Sequence, residues 1–208
     1  MGETVSALRD WESFYVIVGS SAGALAGLQF VVLTLILESG VVTGSGEAIS
    51  AFGSPNVVHF CAALLVAAIC SAPWHSLEPL GVVIAVCGAC GFVYSTLVLR
   101  RALQQNDYKP VLEDWIWHEV LPMLAYAAWI TAGFLFARLP VDALYLVGGA
   151  TLLLVFVGIH NAWDTVMYIA MARVREQKAA AAATVPSPRP ESPPAAVKSS
   201  EPPRPPKE

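Results

Sequence analysis

Charge and polarity are gathered at the ends of long apolar stretches, not spread along one face of each. Five such stretches stand out, over residues 14–37, 55–72, 80–99, 120–137 and 143–171. An α-helix rises 1.5 Å per residue, so about 20 apolar residues match the ~30 Å hydrocarbon core of a bilayer. In hydrocarbon every backbone N–H and C=O has to be paired within the protein, which admits only helices or closed barrels. Barrel strands need about ten alternating residues, so unbroken runs of this length select helices. The pattern predicts an all-α fold, a polytopic membrane helix bundle of five transmembrane helices within residues 12–172.

The ends of the runs are punctuated. Residues 1–11 form an N-terminal flank, and the first run is approached through acidic residues with Trp11, Phe14 and Tyr15 placed for a membrane interface. Ser54-Pro55 reads as an N-cap and N1 pair opening the second run, and Pro73-Trp74 breaks it. Arg100-Arg101 close the third run, and Arg138 with Pro140 close the fourth. The fifth is longer than a span requires and is expected to tilt or to continue beyond the bilayer. Arg173, Arg175 and Lys178 then form a basic collar. Residues 173–208 read as a tail whose proline- and serine-rich part, Val185 to Glu208, has no core-forming residues and is expected to be disordered. Pro190–Pro193 and Pro203–Pro206 match P-x-x-P, a pattern any proline-rich stretch yields by chance, so a solvated tail is preferred to a docking motif.

Composition sharpens this picture. Hydrophobic residues make up 56% of the chain and charged residues 13%, about half the usual soluble share, so the expected partner is the lipid bilayer. The net charge is −4 with no basic, aromatic-interleaved patch, which argues against nucleic acid. Arg9 sits among Glu3, Asp10 and Glu12, so the N-terminus lacks the basic region of a cleaved signal, and the first helix is expected to be retained. With five spans, one side carries Arg9 and Arg138 and the other carries Arg100, Arg101, Lys109, Arg173, Arg175 and Lys178. The excess places the N-terminus outside and the C-terminus in the cytoplasm. Cys61, Cys70, Cys87 and Cys90 all lie within apolar runs and read as packing residues, not as a disulfide framework.

Two features carry candidate chemistry. Gly19, Gly23 and Gly27 share one helix face at a spacing that lets another backbone approach, within the chain or in a homo-oligomer. The second is a polar layer. By alternation of direction, Glu38, Asn56, His59, Asp114, His118, Glu119, His160, Asn161 and Asp164 all fall toward one side of the membrane, the cytoplasmic one. His160 and Asp164 are one helical turn apart, and Asp114 and His118 repeat the spacing in reverse. Ionisable groups at membrane depth are costly and point to function.

Three readings of the layer are open. The preferred one is structural or scaffolding: the groups bond one another and lock the bundle, with Trp115, Trp117, Trp163 and Tyr168 as the interfacial belt. The second is a small ion- or proton-coupled channel or transporter, extended across the membrane by Gln29 or Thr34. The third is a metal-binding enzyme using His59, His118, His160 and a carboxylate, although no H-x-x-x-H or E-x-x-H spacing supports it. There is no nucleophile triad, phosphate loop or intramembrane protease signature, so the balance is against an enzyme and no cofactor is expected. His75, beside Trp74 and Glu78, reads as a solvated loop residue.

Gly27-Leu28-Gln29-Phe30-Val31, Asn56-Val57-Val58-His59-Phe60, and Gly158 to Asp164 with Tyr168 together resemble a group of bacterial five-span membrane proteins with no assigned activity. The resemblance covers about residues 11–172. It implies a multi-pass protein of the inner (plasma) membrane and nothing about mechanism.

Overall fold

The structure, a computed structural model, describes residues 7–38, 46–104 and 112–184, with the side chains of 35–38, 46–54, 102, 114, 168–169 and 182–184 left aside. All elements among them are helical. They are α1 (Glu12–Glu38), α2 (Gly46–Cys70), α3 (Leu77–Gln104), α4 (Leu112–Trp115), a π-helical turn (Ile116–Val120), α5 (Leu121–Leu135) and α6 (Pro140–Thr184). Three helices contain segments long and apolar enough to cross a membrane: Glu12–Thr34, Leu77–Arg101 and Pro140–Ala181. A shorter apolar segment is Pro55–Cys70. One compact unit ends at Arg173 and a second begins at Val174, of which the last part of α6 is described. The proline-rich residues 185–208 lie outside the described residues.

Many large apolar side chains point outward, while alanines lie buried between the helices. Val16, Ile17, Phe30, Val82, Val93, Phe134 and Phe156 are each more than half exposed, while Ala22, Ala63, Ala67, Ala132 and Ala143 are fully or almost fully buried. A soluble fold would hide the first set. Small inward residues let backbones approach, the arrangement expected where surrounding lipid is as apolar as the interior.

Sequence punctuation sets the helix ends. After Cys70, Ser71 Oγ donates to Ala67 O and the Trp74 indole N–H donates to Ile69 O at 2.6 Å. Pro73 has no N–H to give the Ile69 carbonyl, which accepts instead from Ala72 N–H and the Trp74 indole. Pro140 occupies the first position of α6, where its missing N–H costs nothing. Ser54-Pro55 does not open α2. The helix begins at Gly46 and Pro55 lies inside it. One proline removes a single backbone bond, and the helix continues through it.

Helix pairing differs from the glycine pattern's first suggestion. A Cβ at Gly19 would meet Ala67 Cβ at 3.0 Å and one at Gly23 would meet Leu64 at 3.7 Å, so both face α2 within the chain. Gly27 faces open space. The tightest approach is between α3 and α5. A Cβ at Gly81 would lie 2.8 Å from Gly133 O, and one at Gly88 would lie 2.8 Å from both Ile130 N and Tyr126 O. On α6, Gly148 receives the Trp11 ring and Gly158 receives the Phe60 ring. Trp11, Phe14 and Tyr15 are therefore packing residues: Trp11 stacks edge-on to Tyr145 at 4.8 Å, and Tyr15 is 1% exposed.

Candidate functional site

One junction among the expected polar residues is built on the π turn, and Pro122 explains that turn. Proline has no N–H, and its ring crowds the carbonyl four residues back, here that of His118. Widening the turn relieves the clash: Leu121 N–H bonds Ile116 O, five residues back. The Trp117 carbonyl then has no helical donor, because Leu121 is engaged and the next candidate is Pro122. Asn161 of α6 fills the gap, its Nδ2 donating to Trp117 O at 3.5 Å. The same residue is held a second time, since the His160 ring stacks on the Trp117 ring at 3.8 Å and 18°.

A second junction joins three helices. The Tyr126 ring lies against Gly91 of α3, where any side chain would run into it. Its hydroxyl and His59 Nδ1 of α2 share a buried hydrogen bond of 2.9 Å. Tyr126 is also T-shaped to Trp129 at 5.5 Å. His118 is close enough for its charge to act at His59, and the charges of Glu119 and Arg101 both act at the Tyr94 hydroxyl.

Several groups are buried without a hydrogen-bond partner: Asn56 Oδ1, Ser95 Oγ, Glu119 Oε2, Asn161 Oδ1 and His160 Nε2. His160 Nε2 lies 3.1 Å from Asp164 Oδ2 but is not aligned for a hydrogen bond, and the two side chains are 27% and 50% exposed. The two side chains are therefore in loose contact on α6, an ion pair only when the imidazole carries a proton. Glu119, just before the fourth apolar run, is 6% exposed, and burial lifts its carboxyl to about 7.

Of the expected members, the structure brings His118 near His59, and it joins His160 and Asn161 through Trp117. It buries Asn56 and Glu119. The side chains of Glu38, Asp114 and Tyr168 lie outside the described residues. Thr34 bonds its own helix at Phe30 O, and His75 is exposed. Among the described residues no three His, Cys, Asp or Glu side chains converge as metal ligands. His59, His118 and His160 do not form a common site, because His59 turns to Tyr126 while His160 lies on Trp117. The sequence reading missed Tyr126, Tyr94 and Ser95. The spacing of Tyr126, seven residues and two turns after Glu119, is the signal that could have found it. Comparison with protein families, with curated proteins and with solved structures found no match.

Proposed function

We propose that the chain is an integral membrane protein of five transmembrane helices, N-terminus outside and C-terminus cytoplasmic, whose polar layer is an interhelical lock for a scaffolding bundle. Two observations support five spans over three. The Pro55–Cys70 segment lies against Gly19 and Gly23 in the middle of α1, and α5 lies backbone to backbone against α3 at Gly81 and Gly88. A helix in such contact with the middle of a spanning helix shares its depth. Labelling of a single cysteine at position 76, in a background lacking the native cysteines, tests the orientation: it is expected from the outside only.

The observation that carries the lock is the double grip on Trp117, by the Asn161 amide and the His160 ring. Groups that hold each other across helices suit a joint better than an open path. An open groove of about 220 Å³ between α5 and α6 is lined by apolar and small residues, among them Leu124, Ala128, Tyr145, Gly149 and Leu153. In liposomes, purified protein is expected to pass neither protons nor alkali cations above the protein-free leak. Flux that Asn161→Ala abolishes without loss of folding would replace the lock with a conducting role.

The unpaired oxygens of Asn56, Glu119 and Asn161 favour a second reading, a proton- or ion-coupled protein. Self-association is proposed through the Gly27 end of the glycine face, since Gly19 and Gly23 are occupied by α2.

A further inference from the structure

The unpaired atoms of the layer are unbalanced in kind. Glu119 Oε2, Asn56 Oδ1 and Asn161 Oδ1 are acceptors on side chains more than nine-tenths buried. Asn161 is oriented by its own donation to Trp117 O, so its oxygen is the atom left over. Ser95 Oγ and His160 Nε2, also unpaired, can act either way. An ionised Glu119 puts a full charge on a buried side chain with nothing bonded to Oε2, which is the costly arrangement for a buried carboxylate. A proton on that oxygen removes the charge and turns an acceptor into a donor.

The groups around Glu119 do not offer another solution. From α3 the polar neighbour is Tyr94, whose hydroxyl feels both Glu119 and Arg101, and burial is what lifts the Glu119 carboxyl. On its own element stand His118, whose charge reaches His59 of α2, and Trp117. From α6 the layer receives Asn161 and His160, and the carboxylate of Asp164 lies beside His160. The π turn that holds Glu119 is itself an uncommon element, enriched at functional sites.

We propose that Glu119 is a proton-binding site, folded as the neutral acid and releasing its proton as the pH rises, which makes the helix joint at the π turn proton-sensitive. The proposal rests on the interhelical lock but not on the direction of insertion. Its sign is fixed. The folded carboxyl titrates at about 7, above its ordinary 4.5. Its contribution to stability is therefore complete below about 4.5 and is lost as pH rises through about 7.

Infrared titration of the full chain in detergent tests this. At about pH 6 ordinary carboxyls are ionised, so a protonated-carboxyl band there reports a raised group. The band is expected at about pH 6 and should vanish by about pH 8.5. Glu119→Gln is expected to remove it and to flatten the fall in melting temperature that the wild-type protein shows over the same range. Where Glu119→Gln does not fold, Glu119→Asp keeps a carboxyl and assigns the band by shifting it. No band at about pH 6, or a band that neither variant changes, overturns the proposal. A lock that fails for other reasons leaves a separate signature, the absence of coupling between His59 and Tyr126.

Discussion

His160 touches two partners, and their magnitudes predict which one matters. Its contact with Asp164, an ion pair only when the imidazole is protonated, joins side chains 27% and 50% exposed, one helical turn apart. Pairs of that kind contribute about 0.3–0.5 kcal/mol, and the exposure of Asp164 places this one at the lower end. The stack on Trp117, at 3.8 Å and 18°, is a parallel contact between elements. Aromatic pairs add about 0.5–1.5 kcal/mol beyond the area they bury. His160→Ala should therefore destabilise by about 1–2 kcal/mol, and Asp164→Asn by less than about 0.5 kcal/mol. For a chain of this size 1 kcal/mol moves the melting temperature by about 2–4 °C, so the two variants separate in a thermal scan in detergent. Double-mutant cycles add the decisive comparison: coupling near 1 kcal/mol between His160 and Trp117, and below about 0.5 kcal/mol between His160 and Asp164. Equal losses from the two single variants, or stronger coupling to Asp164, would refute the assignment of His160 to the Trp117 joint.

Two further substitutions probe the backbone contacts. Gly19→Leu drives a side chain into Ala67, whose Cβ is already 3.0 Å from where the new Cβ must sit, and should cost about 1–3 kcal/mol in thermal unfolding. Gly27→Leu enters open space and should change stability by less than about 0.5 kcal/mol; if a second copy covers that face, the variant lowers the oligomer size in detergent instead. Gly88→Ala places a methyl 2.8 Å from two backbone atoms of α5, which cannot rotate away, and should destabilise more than Gly23→Ala, where the neighbour is a flexible Leu64. Comparable melting temperatures for those two variants would contradict the close α3–α5 approach.

The runs of apolar residues made the helices legible because each backbone has to pair its own polar groups in hydrocarbon, whatever its neighbours. Pairing between helices is a different matter. Gly19, Gly23 and Gly27 announce themselves by their spacing, yet the closest approach uses Gly81, Gly88 and Gly133, which share no such spacing. Ser54-Pro55 has the chemistry of a helix start, yet local chemistry does not reveal that the helix has already begun at Gly46. In the sequence the polar residues stand toward one end of each run, a pattern that does not reveal their contacts. The second junction depends on Tyr126, which an apolar run disguises, and the first depends on a carbonyl left over by Pro122.

The interhelical lock is tested most directly by a double-mutant cycle on His59 and Tyr126. The pair joins α2 to α5 through one buried hydrogen bond of 2.9 Å. Tyr126→Phe keeps the ring against Gly91 and Trp129 and removes only the hydroxyl, and His59→Leu removes the other partner. Side-chain hydrogen bonds between membrane helices average about 0.6 kcal/mol, with a maximum near 1.7 kcal/mol, and a fully buried pair belongs in the upper half of that range. A coupling energy of about 1 kcal/mol in thermal unfolding, with the double variant no less stable than the sum of singles requires, is the expected result. Strict additivity of the two substitutions would contradict it, because two residues that hold the helices together through each other cannot fail independently.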